Sequence, residues 1–186
     1  MLYAQVHLTL PAWVHELAPA GSVYADDEAK LTLAIKLSRL NVERRSGGPF
    51  GAAVFDHAHR LISVGVNRVE PHTCSVAHAE MMAYMTAQQR LQRFRLNEGA
   101  PGVTLATSSQ PCCMCYGATF WAGIDTLLIG ARSEDVMRLT EFDEGPLPAD
   151  WAGELRARGI EVRNDILRDE ACAVLKHYAD TAGAMY

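Results

Sequence analysis

The sequence predicts one α/β domain with helices on both faces of a central mixed sheet. Three observations carry this: two β-rich runs joined by a tight turn, a strand–helix–strand alternation over residues 103–131, and helical periods on either side of both. A length of 186 residues suits a single domain with a substantial core. Apolar residues make up 49% and charged residues 21%, which argues against disorder and against a coiled coil.

Residues 1–25 show no sustained period and read as an N-terminal extension of a domain spanning 26–186. Over residues 26–45, Leu33, Ile35, Leu37, Leu40 and Val42 supply the apolar positions of a helix. Asp26 or Asp27 is its N-cap, and Gly47-Gly48-Pro49 ends it. FGAAVFD and LISVGVN, separated by His57-Ala58-His59-Arg60, read as an antiparallel hairpin. A helix from about Val76 to Leu91 follows. VTLATS is a buried strand, CCMCYGATFWAG a helix and TLLIGA a second strand, an alternation that favours parallel pairing. SEDVMRL is a short helix, FDEGPLP a loop, and Asp150 caps a helix reaching Arg158. GIEVRNDIL is the fifth strand. EACAVLKHYADTAGAMY is a terminal helix whose apolar side is Ala173, Val174, Leu175 and Tyr178.

Composition narrows the function classes. The longest apolar stretch, Gly117 to Ala131, is cut by Asp125 and is shorter than the roughly 20 residues that cross a bilayer, so no membrane span is expected. MLYAQVHLTLPAWVHEL has no basic leader before an apolar core, which points to a cytoplasmic location. A net charge of −5 makes nucleic acid a secondary candidate as partner, and Arg90, Arg93 and Arg95 read as a solvated face. Five cysteines, an odd number, argue against a disulfide framework and direct attention to spacing.

Two motifs carry chemistry: His78-Ala79-Glu80 at a helix start, and Pro111-Cys112-Cys113-Met114-Cys115 where a strand meets a helix. Composition alone gives about 0.003 expected occurrences of the two together, so the pattern is not a compositional accident. Cys112 and Cys115 at a helix N-terminus can face one point, and the helix dipole favours their thiolate forms. With His78 they make a three-ligand set suited to zinc, leaving a fourth position for water, as in catalytic sites. Glu80 can reach that water without ligating the metal. Zinc lowers the pKa of its water to about 7 and the carboxylate takes the proton, which makes Glu80 a proton shuttle. The pairing of H-x-E with P-C-x-x-C is the signature of the zinc nucleobase deaminases.

On these residues the chain resembles the cytidine deaminase superfamily, and within it the small bacterial guanine deaminases, over about residues 26–186. Gly47-Gly48-Pro49-Phe50-Gly51-Ala52, Asn67, Phe120-Trp121-Ala122, Phe142-Asp143-Glu144 and the terminal Tyr186 also carry the resemblance. It implies a three-layer α/β/α fold with a central five-stranded mixed sheet and zinc on His78, Cys112 and Cys115. It further implies hydrolysis of guanine to xanthine and ammonia. Asn67 and the Ala79 backbone are implied to bind the purine base, Phe50 and Trp121 to flank it, Glu144 to escort a proton to the leaving amine and Tyr186 to close the pocket. A homodimer with a swapped C-terminal segment is implied as well.

Other readings stay open. Adenosine in a transfer-RNA loop uses the same zinc motifs, an aminotriazine presents a similar amidine edge, and a zinc-stabilised binding module would make Glu80 incidental. His57, His59, His72 and His177 have no partner spacing and read as surface residues.

Overall fold

The computed structural model describes Leu2 and residues 4–181. Its strands are β1 (Gly51–Phe55), β2 (Leu61–Val66), β3 (Thr104–Ser109), β4 (Thr126–Ala131) and β5 (Glu161–Arg163), side by side in the order β2-β1-β3-β4-β5. β1 pairs antiparallel with both β2 and β3, while β3, β4 and β5 run parallel. In the β1–β2 turn, Asp56 Oδ1 accepts from the N–H groups of Ala58 (2.8 Å) and Arg60 (2.9 Å). That local closure is why the short turn holds its register.

The central strands are apolar on both faces because helices cover both. Helices α4 (Ala79–Leu91), α5 (Cys113–Ala122) and α7 (Trp151–Arg156) lie on one side, packing with Ala52, Val54, Leu105 and Leu127. Helices α1 (Trp13–Leu17), α2 (Asp27–Glu43), α6 (Ser133–Leu139) and α8 (Arg168–Asp180) lie on the other. There α1 and α2 bury Ala53, Phe55, Ala106 and Leu128, and α6 and α8 close over Ala131. The expected α/β/α layering with a five-stranded mixed sheet is what the structure has.

α2 begins where Asp26 accepts a hydrogen bond from the Ala29 N–H at 2.7 Å, a cap that contributes about 1 kcal/mol. Gly65 lets α4 lie directly on β2, since a Cβ there would sit 1.9 Å from the Ala79 carbonyl oxygen. The two last helices of the α6–α8 side are joined through Asp135, only 2% exposed, which accepts from Arg168 Nε (2.7 Å) and Arg138 Nη2 (2.8 Å). Its carboxylate also accepts from the Arg132 N–H at 3.0 Å, capping α6. No helix among the described residues is long and apolar enough to cross a membrane.

Several elements differ from the sequence reading. α4 starts at Ala79 instead of near Val76, because His78 is in extended conformation at its N-cap. A short helix α3 (Val69–His72) precedes it, closed by Thr73 in the left-handed region. α7 ends at Arg156, two residues before Arg158. α8 buries Ala171, Val174, Leu175 and Tyr178, the i, i+3, i+4, i+7 stripe, while Ala173 faces solvent.

Residues 1–25 do more than extend the domain. Trp13, Val14 and Ala18 join the core beneath α2. Farther along, Gly21 N–H donates to Leu61 O (2.9 Å), Leu61 N–H to Ser22 O (2.8 Å), and Val23 bridges Arg60. The segment thereby covers part of the outer edge of β2.

Candidate active site

Two helix N-termini converge on one point. His78 is the N-cap of α4 and Cys112 the N-cap of α5, and neither side chain caps its own helix. Both turn toward each other: His78 Nδ1 lies 3.5 Å from Cys112 Sγ and 3.7 Å from Cys115 Sγ, one turn into α5. A tetrahedral zinc with bonds of about 2.05 Å to nitrogen and 2.3 Å to sulfur sets those atoms about 3.6 Å apart. The donor triangle therefore fits zinc in chemistry and in size. The three ligand atoms lie within 4.8 Å of one another, and among the described residues no fourth His, Cys, Asp or Glu joins the group. Cys74 is not part of it.

Among themselves, the three donor groups share protons. The Cys115 hydrogen bond holds the Cys112 thiol down to about 4 against the effect of burial, with His78 assisting. The same shared proton, together with burial, pushes Cys115 strongly up. Burial opposes charge on His78, yet the hydrogen bond to Cys112 and the nearby carboxylates raise it overall.

Glu80 is fixed beside the triangle, 6% exposed, with its carboxyl pushed up by burial first and then by the Cys112 charge. Thr107 Oγ donates to its Oε1 at 3.2 Å and the Cys115 thiol to its Oε2 at 3.5 Å. A cavity of about 90 Å³ opens onto it, lined by Phe50, Asn67, His78, Glu80, Gln110, Cys112 and Phe142–Glu144. A larger groove of about 190 Å³ between Val14 and Ile62 contains none of these groups.

Asn67, 1% exposed, accepts at Oδ1 from the N–H groups of Val69 (3.2 Å) and Gly48 (3.4 Å). With its oxygen so engaged, its Nδ2 is the end left to face the cavity as a donor. Glu144 is 7% exposed, and burial plus the charges of Cys112 and Glu80 raise its carboxyl to about 8. Its loop is latched onto α5: Cys113 N–H donates to Glu144 O at 2.9 Å, and Gly145 N–H to Asp143 Oδ1 at 2.9 Å. Gly145 has φ +67°, and a Cβ there would lie 2.5 Å from Cys113 Sγ. Phe50 and Phe142 form one wall with ring centroids 5.4 Å apart.

The structure thus brings together His78, Glu80, Cys112, Cys115, Phe50, Asn67 and Glu144. Ala79, fully buried, contributes only backbone, at the first helical position where the N–H has no partner within the helix. Trp121 does not line the cavity of this chain: it is 70% exposed and packs edge-on against Phe120 on the outer face of α5. Tyr186 lies outside the described residues. Gln110, Asp143 and Thr107 were not singled out by the sequence. Gln110 could have been, as the residue directly before the Pro-Cys motif, and Asp143 as the neighbour of Glu144; nothing local marks Thr107.

Residues 25–131 match the cytidine and deoxycytidylate deaminase zinc-binding region. The chain is similar to a solved structure of guanine deaminase from Nitrosomonas europaea, at 42% identity over 97% of this chain and 99% of that one, with a TM-score of 0.90. A structure of an NE0047 mutant in complex with 8-azaguanine is similar at 42% identity over 95% and 98% of the two chains, again with a TM-score of 0.90. A probable cytosine deaminase of Schizosaccharomyces pombe is 33% identical over 164 residues, 83% of this chain and 93% of its own.

Proposed function

The chain belongs to the cytidine and deoxycytidylate deaminase family, and from that membership we propose that it hydrolyses guanine to xanthine and ammonia. One observation carries the reading: a buried carboxylate, Glu80, fixed between a zinc-sized His/Cys/Cys triangle and a cavity suited to one small heterocycle. Relatives of high structural similarity, one of them with a guanine analogue bound, support the choice of base.

His78, Cys112 and Cys115 would hold zinc, which when bound would acidify a water beside the base. Glu80 accepts a proton from the attacking water and delivers it to the adjacent ring nitrogen. Thr107 keeps one carboxylate oxygen in place while the other moves the proton. Asn67 Nδ2 and the Ala79 N–H donate to acceptors on the purine edge, and Phe50 packs on its ring. Glu144 gives a proton to the exocyclic nitrogen, so that ammonia and not amide ion leaves, and the second proton of the attacking water replaces it as the carbonyl forms at C2. One water is consumed and the C–N bond at C2 is exchanged for C–O.

The catalytic domain spans 26–186, the molecule works in the cytoplasm, and it assembles as a homodimer. Exposed Trp121 and Phe94 supply apolar surface for that assembly, and Trp121 reaches a base only across it, with Tyr186 as the closing residue. The test is ammonia release from the zinc-loaded protein with guanine, guanosine, adenine, cytosine, cytidine and a transfer-RNA anticodon loop, beside Glu80→Gln. Release from guanine, lost about 10³-fold in a folded, zinc-loaded Glu80→Gln, is expected. Release only from the RNA overturns the substrate, and an active Glu80→Gln overturns the mechanism.

A further inference from the structure

We infer that the N-terminal segment takes part in substrate recognition by helping to fix Asn67 through a hydrogen-bond relay that begins at Trp13. The inference rests on the reading of Asn67 as a base-binding residue. Trp13 lies outside the matched family region, residues 25–131, so the relay joins the extension to the family's pocket.

The relay has a determined direction. The indole N–H of Trp13 can only donate, and it does so to Ser46 Oγ at 3.2 Å. Ser46 then has one proton to give, and its closest acceptor is Asn41 Oδ1 at 2.8 Å. That bond braces the Asn41 amide in the orientation that its nitrogen's two acceptors also require. Its Nδ2 donates to Gly48 O at 2.8 Å and to Asn67 O at 2.9 Å. Gly48 returns its N–H to Asn67 Oδ1, the contact that leaves the Asn67 Nδ2 facing the cavity. Trp13 is 9% exposed, Asn41 0% and Asn67 1%, while Ser46 between them is half-buried, so water is poorly placed to substitute at either end of the relay.

The start of the relay is itself anchored. His72 Nε2 lies 2.9 Å from Thr9 O and 3.1 Å from Thr9 N, and Arg68, the residue after Asn67, donates to Thr9 O at 3.1 Å and also to Ser46 O. Arg44 stacks over the indole at 5.5 Å. Without the indole donor, the Ser46 hydroxyl is free to turn to its second acceptor, Asn41 O at 3.3 Å, and the Asn41 amide is then held by its two Nδ2 bonds alone. The loop carrying Gly48 and the carbonyl of Asn67 then lose a shared reference.

The experiment compares Trp13→Phe, Ser46→Ala, Ser46→Thr, the Trp13→Phe/Ser46→Ala double variant and Asn67→Ala in the full-length zinc-loaded protein, reading KM and kcat for guanine with melting temperature. Trp13→Phe keeps a ring for Arg44 but removes part of the buried indole's volume along with the donor, which the melting temperature registers, and Ser46→Ala cuts the same relay without touching the indole. Each is expected to raise KM about 3- to 10-fold with kcat within twofold, the size of one hydrogen bond. The double variant should match the larger single effect, and Ser46→Thr should restore it. If Asn67→Ala raises KM while both relay variants leave it unchanged, or if their effects multiply, the relay is overturned. If Asn67→Ala itself leaves KM unchanged, the base-binding reading of Asn67 falls instead.

Discussion

Gly145 is the residue whose replacement most directly separates the position of Glu144 from its chemistry. In Gly145→Ala two costs combine. An L-residue at φ +67° is disfavoured by about 1–2 kcal/mol. The new Cβ also falls 2.5 Å from Cys113 Sγ. A non-bonded carbon rests at about 3.5 Å or more, so either the Cys113 side chain turns aside or the loop retreats by roughly 1 Å, and the second course is the one expected here. The Cys113 N–H to Glu144 O bond of 2.9 Å is the contact that stretches, carrying the carboxyl away from the leaving nitrogen. Misplacement of about 1 Å can cost about 10²-fold in rate, so kcat should fall about 100-fold while zinc content stays at one equivalent. The assay is steady-state ammonia release from guanine, with zinc analysis and thermal melting on the same samples. Adding Cys113→Ala, which removes the sulfur but keeps the N–H, should recover at least tenfold of the lost kcat. A Gly145→Ala enzyme with kcat within twofold of the parent refutes the reasoning, as does a double variant no better than the single.

Two further outcomes are expected. Asp135 is held well below the ordinary carboxylate value, first by Arg168 and then by Arg138 and the Arg132 N–H, with burial opposing. A depressed folded value means its contribution is complete above about pH 4 and is lost as pH falls toward that value. Asp135→Asn should therefore lower stability by about 3 kcal/mol near neutral pH and flatten the acid decline of the melting temperature, measured calorimetrically from pH 7 to 3. Removing zinc with a chelator should abolish ammonia release reversibly and lower the melting temperature, because metal at about 1,000 times its Kd stabilises the folded state by about 4 kcal/mol. Unchanged melting after verified zinc loss contradicts the assignment of the triangle.

The metal triangle was legible in the sequence because each ligand is set by local structure: a helix start for His78, and one helical turn between Cys112 and Cys115. The strands were legible for the same reason, as runs bounded by turn residues. Trp121 shows where motif reading falls short. Cys115, Thr119 and Ala122 define the buried stripe of α5, and Trp121 is about 120° around the helix from it. The helical period had therefore already placed its ring outside. In α8 the alanines made the stripe ambiguous, since Ala171 and Ala173 are chemically equal and only packing on Ala131 and Val136 selects the first. α1 has five residues, too few for a period to emerge, and its anchoring by Trp13 depends on partners distant in the chain. Gln110 and Phe142 reach the cavity from loops, where no spacing rule applies.

The pairing of residues 21–23 with Arg60 and Leu61 also bears on which edges of the sheet are closed to other chains. An open strand edge is a template for any passing extended chain. Here the β2 edge is occupied at Leu61 by the chain's own Gly21 and Ser22, while Arg90 and Thr86 side chains bind the carbonyls of Ile62 (3.1 Å) and Val64 (3.4 Å). The opposite edge, β5, is only three residues long and carries ion-paired Glu161 and Arg163. Shortening the chain past Val23 would therefore free the Leu61 N–H and C=O at that edge and open a place where another extended chain can pair.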